Sequence, residues 1–215
     1  MTEIFANERE IKDYILQAAY KPENVKLTSN GERILNYRHL TTKIGISCYI
    51  TFHKQILILE RSPLVNYSGK WGTVSGYVDN LEIMRNSRRF LHDHIIQELQ
   101  EEIGWNLNES MRLKSCNNHA LITPKCKIHL ELFTLSLAQN PPPIILNSEH
   151  LNYKWVELEK IKSFKSILIT QFIEGLEKCN LLMEATEPIA NIAFPSLLRY
   201  KFIGLRKRPS SSIGG

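Results

Sequence analysis

Long apolar stretches are missing from this chain of 215 residues. Runs such as Ile56–Leu59 fall far short of the ~20 residues that a membrane-spanning helix requires, so neither a transmembrane helix nor a membrane partner is expected. The opening MTEIFANERE mixes charges and has no apolar core, unlike a secretory leader, and a cytoplasmic location is expected. Cysteine is sparse. Cys48, Cys116, Cys126 and Cys179 are scattered without a CxxC pair, which speaks against a disulfide scaffold and for reduced, largely structural thiols. With 10 glycines, 9 prolines, 43% apolar and 23% charged residues, the chain is neither collagen-like nor disordered, and its length suits one ordinary domain with appendages.

Acidic residues are also outnumbered, 22 against 27 basic ones, which gives a formal charge of +5. The surplus is local. Arg199, Lys201, Arg206, Lys207 and Arg208 lie between Pro195 and Gly215 with no acid among them, leaving the other residues balanced at 22 against 22. A basic isoelectric point therefore describes the C-terminal tail and is not in itself a sign of a nucleic-acid site. One possible zinc set, Cys116-x-x-His119 with Cys126-x-x-His129, is disfavoured because its second pair enters the strand-like run KIHLELFTLSL, where residues three apart face opposite ways.

The pattern along the chain is mixed. Ile4, Ile11, Tyr14, Ile15 and Ala18 mark a helix in an N-terminal extension, residues 1–40, which ends in a polar stretch near Asn30-Gly31. From Thr41, KIGISCYITF and QILILERS read as strands joined by a His53-Lys54 turn, and further strands are predicted at HALITP, KIHLELFTLSL and YKWVEL. Leu91, Ile95, Leu99 and Ile103 predict a helix over Ser87–Ile103, stopped by Gly104, and a second helix is predicted in SILITQFIEGLEKCNLL. Strands and helices alternate without a regular βαβ period. That favours an α+β fold with a mixed sheet and helices packed on it.

The predicted helix ending at Gly104 carries Gln97-Glu98-Leu99-Gln100-Glu101-Glu102-Ile103-Gly104-Trp105. At 100° per residue, Glu98, Glu101 and Glu102 share an arc of about 100° beside the apolar stripe. Such crowding is unfavourable unless the carboxylates are solvated or share a cation, and hard oxygen ligands suit Mg²⁺ or Mn²⁺. A solvated acidic face is the plainer reading of the string alone.

Upstream, Gly76 is followed after five residues by Glu82. Together with the QELQEEIGW string this resembles the Nudix box, in which G, five residues and E are followed by seven residues and R-E-U-x-E-E-x-G-U, U being apolar. Gly76, Glu82, Glu98, Leu99, Glu101, Glu102, Gly104 and Trp105 fit, and LILERS, GKWGTVSGYVD and SEHLNYKWVELEKI flank the box as in that family. The resemblance covers residues 41–163. Two features depart from the pattern: fourteen residues, Ile83–Ile96, stand where the family has seven, and Gln97 replaces the box arginine that pairs with the first glutamate. The extra residues either lengthen the helix by about two turns or bulge before Ser87, and Arg85, Arg88 or Arg89 can substitute for the arginine.

The resemblance implies a Nudix-like α/β/α sandwich with helical N- and C-terminal extensions, the latter being residues 164–215. It further implies an Mg²⁺- or Mn²⁺-dependent hydrolase that cleaves a pyrophosphate bond in a nucleoside diphosphate derivative: a sugar, a dinucleotide or a nucleoside triphosphate. Glu98, Glu101 and Glu102, with Glu82 and the Gly76 carbonyl, are the implied metal ligands. Glu98, Glu101 and Glu149 are the candidate catalytic residues, Glu149 as a general base from the loop before YKWVEL. Arg61 and Lys70 are candidate phosphate contacts and Tyr77 a candidate base-stacking residue. The alternatives are a catalytically weak nucleotide-binding or regulatory module, motivated by the insertion and by Gln97, and action on RNA 5′ ends, motivated by the basic charge. A homodimer through the N-terminal helix is a further possibility.

Overall fold

A computed structural model describes residues 4–122 and 126–184. The basic segment Pro195–Gly215 lies outside the described residues. The elements in chain order are α1 (Glu8–Ala18), β1 (Val25–Leu27), β2 (Arg33–Leu35), β3 (Thr42–Phe52), β4 (Gln55–Arg61), β5 (Trp71–Gly72), β6 (Val74–Tyr77), α2 (Leu81–Asn86), α3 (Phe90–Ile103), β7 (Met111–Ile122), β8 (Lys127–Leu137), β9 (His150–Glu157), α4 (Phe172–Lys178) and α5 (Leu181–Glu184). Among the described residues no helix is long and apolar enough to cross a membrane.

A mixed sheet of seven strands organises these elements. β3 runs parallel to β8 from Thr42↔Lys127 to Phe52↔Leu137 and antiparallel to β4 through the tight His53-Lys54 turn. Beyond that turn β4 parts from β3 and pairs with β5 and β9, while β6 takes its place beside β3 over Gly45–Cys48. β7 closes the other edge against β8. Alternation along β3 sends Ile44, Ile46, Cys48 and Ile50 to one face, under α1, α2 and α3, and Tyr49 to the other, under α4. The result is helices on both sides of a mixed sheet, as expected.

Residues 4–40 are part of this packing. Asn7 caps α1 by accepting from the Glu10 N–H at 3.1 Å, and Glu10 in return accepts from the Ala6 N–H at 2.9 Å. Ile11 and Ile15 are then buried in the same apolar cluster as Leu35 and Tyr37. The polar stretch around Asn30-Gly31 turned out to contain a small hairpin, β1–β2. Its three-residue strands are too short to show a period.

The region between Gly76 and Gly104 differs most from expectation. Asn80 accepts from the Glu82 and Ile83 N–H groups at 3.0 and 3.2 Å, so a separate helix, α2, starts at Leu81 and carries Glu82. Ser87 is its C-cap, in extended backbone, and not the start of the next helix. α3 therefore begins at Phe90, three residues later than predicted, and the extra residues neither lengthen it nor form a plain bulge. A buried histidine joins the two helices. His94 Nδ1 lies 2.7 Å from the Phe90 carbonyl and Nε2 3.2 Å from the Asn80 N–H, so the ring donates to the first and accepts from the second.

Other boundaries moved too. β7 begins at Met111, upstream of HALITP, because the polar MRLKSCNN joins the β8 ladder with a bulge between Ser115 and Asn118. The predicted second helix shrinks to α4 and α5, as residues 166–171 instead run beside Trp71.

Candidate functional site

α3 ends where Gly104 adopts φ 74°, which allows its N–H and that of Trp105 to bond back to the Gln100 and Leu99 carbonyls. Two further carbonyls at this end are met by the loop before β9: Ile145 N–H donates to Ile103 O at 3.0 Å and Asn147 N–H to Glu102 O at 3.3 Å. The Trp105 indole donates to the Pro143 carbonyl at 3.0 Å. These bonds dock the loop on the helix end and so bring Glu149 and His150 beside Glu102.

On α3 the three glutamates occupy different environments. Glu102 is 2% exposed; its Oε2 accepts from the Ser75 N–H at 3.3 Å and lies 3.1 Å from His150 Nε2, whereas its Oε1 is buried with no hydrogen-bond partner. Glu98 packs its carboxylate against the backbone of Gly76, where a Cβ would overlap it, which gives that box glycine a steric reason. Glu101 is exposed, and its Oε1 accepts from Gln97 Nε2 at 2.6 Å. Gln97 Oε1 in turn lies 3.4 Å from Asn80 Nδ2, so the residue replacing the box arginine ties α3 to the α2 cap.

Protonation follows from this crowding. Burial first, then the fields of Glu102, Glu101, Asp79 and Glu149, hold the Glu98 carboxyl well above the usual carboxylate range. Glu102 is raised as well, by burial and then Glu149, against the Ser75 N–H and Arg61. Asp79, in the β6–α2 connection, is pushed up to about 7 by burial and secondarily by Glu101. His150 shifts the other way: burial and Arg61 lower it, against Glu149, so the imidazole is neutral at pH 7.

The sequence-derived candidates thus separate. Glu98, Glu102 and Glu149 come together, with Glu101 at the rim and Arg61 close enough to act on Glu102 and His150. Glu82 is carried by the other helix. Half-exposed on α2, it pairs with Arg85 at 3.6 Å, and Glu98 feels its four neighbours named above more strongly. Lys70 directs its ammonium to the Ser166 carbonyl at 2.8 Å, and Arg61 Nε donates to the Asn66 carbonyl at 2.7 Å. Tyr77 is 39% exposed, with its ring 5.2 Å from that of Tyr37 and the Lys43 ammonium 5.8 Å from its centroid. Asp79 and His150 were missed from sequence. Asp79 is a lone acid in a loop and His150 adjoins Glu149 at a loop end; neither belongs to a periodic pattern that would mark it.

Among the described residues no three His, Cys, Asp or Glu side chains form a closed metal-ligand group, the Cys116, His119, Cys126 and His129 set included. The chemistry of the donors nevertheless fits a divalent cation. An unpartnered buried Glu102 oxygen and carboxyls raised by burial, with mutual repulsion added, are both relieved by positive charge at that point.

Helices on both faces of a mixed sheet, with acidic side chains at the end of one helix, define the architectural class. Comparison with solved structures makes it specific: this is the Nudix fold. The chain is similar to a MutT protein from Methanosarcina mazei Go1, at 23% identity over 69% of this chain and 99% of that one, with a TM-score of 0.53. It is also similar to the Nudix domain of Shewanella oneidensis NrtR complexed with ADP ribose, at 13% identity over 80% and 96% of the two chains and a TM-score of 0.51. No protein-family model and no curated protein matches the chain.

Proposed function

We propose that the protein is a divalent-metal-dependent hydrolase that cleaves a pyrophosphate bond in a small nucleoside diphosphate derivative. The observation that carries this reading is the buried, unpartnered Glu102 oxygen beside Glu98, at the end of a helix whose neighbouring loop supplies Glu149. Glu98 and Glu102 would hold Mg²⁺ or Mn²⁺, with Glu101 joining once it releases Gln97. When bound, such a cation neutralises pyrophosphate charge and acidifies water. Glu149, whose field reaches both Glu98 and Glu102, would accept a proton from the attacking water. Arg61 supplies positive charge close to Glu102, and the exposed Tyr77 ring offers a face for a nucleobase.

Incubation with a panel of nucleoside diphosphate sugars, dinucleoside polyphosphates and nucleoside triphosphates, with Mg²⁺ or Mn²⁺, tests the proposal. Cleavage that Glu98→Gln abolishes supports it. Nucleotide binding without cleavage of any panel member would replace it with a binding-module reading, which Gln97 favours by occupying Glu101.

A further inference from the structure

β7 and α4 meet at two cysteines that are unbridged and only half-buried. Cys116 lies in the β7 bulge, where it and Asn117 fall outside the paired register with β8. Cys179 is the C-cap of α4, and Asn180 after it adopts φ 59°, the left-handed conformation that ends a helix. The residues beside the cysteines hold the two segments together: Asn117 Nδ2 donates to the Lys178 carbonyl and Lys178 Nζ to the Asn118 carbonyl, each at 3.3 Å. The thiols themselves share a hydrogen bond, Cys179 donating to Cys116, and Cys116 Sγ lies 3.8 Å from Thr134 Oγ1.

The pair is unequal. The hydrogen bond from Cys179, then Thr134 and Lys114, lower the Cys116 thiol to about 7 against burial, whereas donation and burial raise Cys179. A thiolate is the nucleophile in thiol oxidation, and a thiol within hydrogen-bonding reach can resolve what forms on it. Cys116 sits in a bulge and Cys179 at a helix end, so neither is held in the interior of a ladder or helix. Side-chain rotation with small main-chain shifts can therefore bring the sulfurs to the ~2.05 Å of a disulfide. Cys48 has no such access, being fully buried.

We propose that Cys116 and Cys179 are a dithiol oxidised by hydrogen peroxide, in which Cys116 takes the oxygen and Cys179 closes a disulfide that fastens α4 to β7. The Cys116 sulfur attacks one peroxide oxygen, the O–O bond breaks, hydroxide leaves and Cys116 becomes a sulfenic acid. The Cys179 sulfur then displaces the sulfenic hydroxyl, which departs with the thiol proton as water while the S–S bond forms. Two thiols and one peroxide thus give one disulfide and two waters. The bridge lies on the face of the sheet opposite α3 and its glutamates.

Treating the full chain with stoichiometric hydrogen peroxide at neutral pH, then mapping unreduced peptides by mass spectrometry, tests this. The expected product is a Cys116–Cys179 cross-link, reversed by dithiothreitol, with Cys48 unmodified. Closing a loop over residues 117–178 should raise the melting temperature by roughly 5–15 °C. Cys179→Ser should stop at a Cys116 sulfenic acid that dimedone traps, and Cys116→Ser should slow oxidation of Cys179 roughly tenfold or more. A bridge through Cys126, or sulfinic acid at Cys116 with Cys179 left as a thiol, would overturn the pairing. Peptides unchanged by peroxide would overturn the reactive thiol as well. The map of the unaltered protein decides both questions, so a variant that fails to fold cannot obscure them.

Discussion

The two faces of the sheet satisfy their buried groups in different ways. Under α4 the layer is almost entirely apolar: Tyr49, Ile56, Ile58, Leu132, Val156 and Phe172 pack together, and the buried Tyr49 hydroxyl finds the Phe172 carbonyl at 3.2 Å. The face under α3 has an apolar layer as well, but its rim holds Glu98, Glu102, Asp79 and His150, packed close with neither full solvation nor full pairing. Burial of unpaired charge opposes folding, so the α3 rim is held in place by the apolar mass around it and by the backbone bonds of the β9 loop. The difference is one of degree: His119, buried beside Glu174 of α4, also leaves both ring nitrogens unpartnered, but only the α3 rim crowds several carboxyls together.

Glu98→Gln should break this contrast with the largest effect. Cleavage is expected to fall by roughly 10²-fold or more, while the metal-free protein becomes more stable at neutral pH because a repelling carboxylate is gone. Panel assays and denaturant unfolding in the presence of a chelator check the two halves. A variant losing both activity and stability would mean that Glu98 is structural. Phe172→Ala is the counterpart on the other face: Phe172 is 1% exposed and stacks edge-on against Tyr49 with centroids 5.4 Å apart. Its truncation should cost about 3–5 kcal/mol in denaturant unfolding, with Mn²⁺ affinity unchanged at temperatures where the variant is folded.

A smaller effect concerns pH. Asp79 is raised from 3.8 to about 7, and Glu98 and Glu102 are raised as well, so the folded chain retains protons that the unfolded chain releases. For Asp79 the stabilisation is complete below pH ~4, the unfolded carboxylate range, and is lost as pH rises toward 7. The melting temperature of the metal-free protein should therefore decline across this window through these groups. Asp79→Asn should flatten part of the decline, and Mn²⁺ at pH 7–8 should reverse it. A melting temperature independent of pH over that range would show that these carboxyls are better solvated than their packing implies.

How much of this could be read in advance depended on periodicity. The glutamates of α3 were visible because a helical stripe positions them, and β3, β4 and β8 were visible because their apolar and β-branched runs are long. For Glu82, spacing alone does not show that Asn80 caps a second helix on which that carboxylate pairs with Arg85. Asp79 and His150 were missed for a related reason. Their roles depend on a loop meeting a helix end through main-chain bonds such as Asn147 to Glu102, and residue type leaves no trace of such a contact. Lys70, expected to be a phosphate contact, bonds in the ligand-free chain to the segment leading into α4.

The smallest expected effect tests a thiol pair on the α4 face. Cys116 lies at the β7 bulge, between Ser115 and Asn118, and packs with Cys179, the C-cap of α4, against the apolar cluster. The two segments are joined by Asn117 Nδ2 to the Lys178 carbonyl and by Lys178 Nζ to the Asn118 carbonyl, each at 3.3 Å. A hydrogen bond from Cys179 is the main reason why the Cys116 thiol is lowered to about 7, with Thr134 and Lys114 adding to it against burial. Burial instead raises Cys48, which has no access to solvent. Alkylation followed by mass spectrometry should therefore modify Cys116 with a midpoint near pH 7 and spare Cys48 until unfolding. Cys179→Ala should move the Cys116 midpoint upward, toward the ordinary thiol range, without changing Mn²⁺ affinity. If that substitution weakened metal binding, the two faces would be coupled through the sheet, and the contrast between them would have to be abandoned.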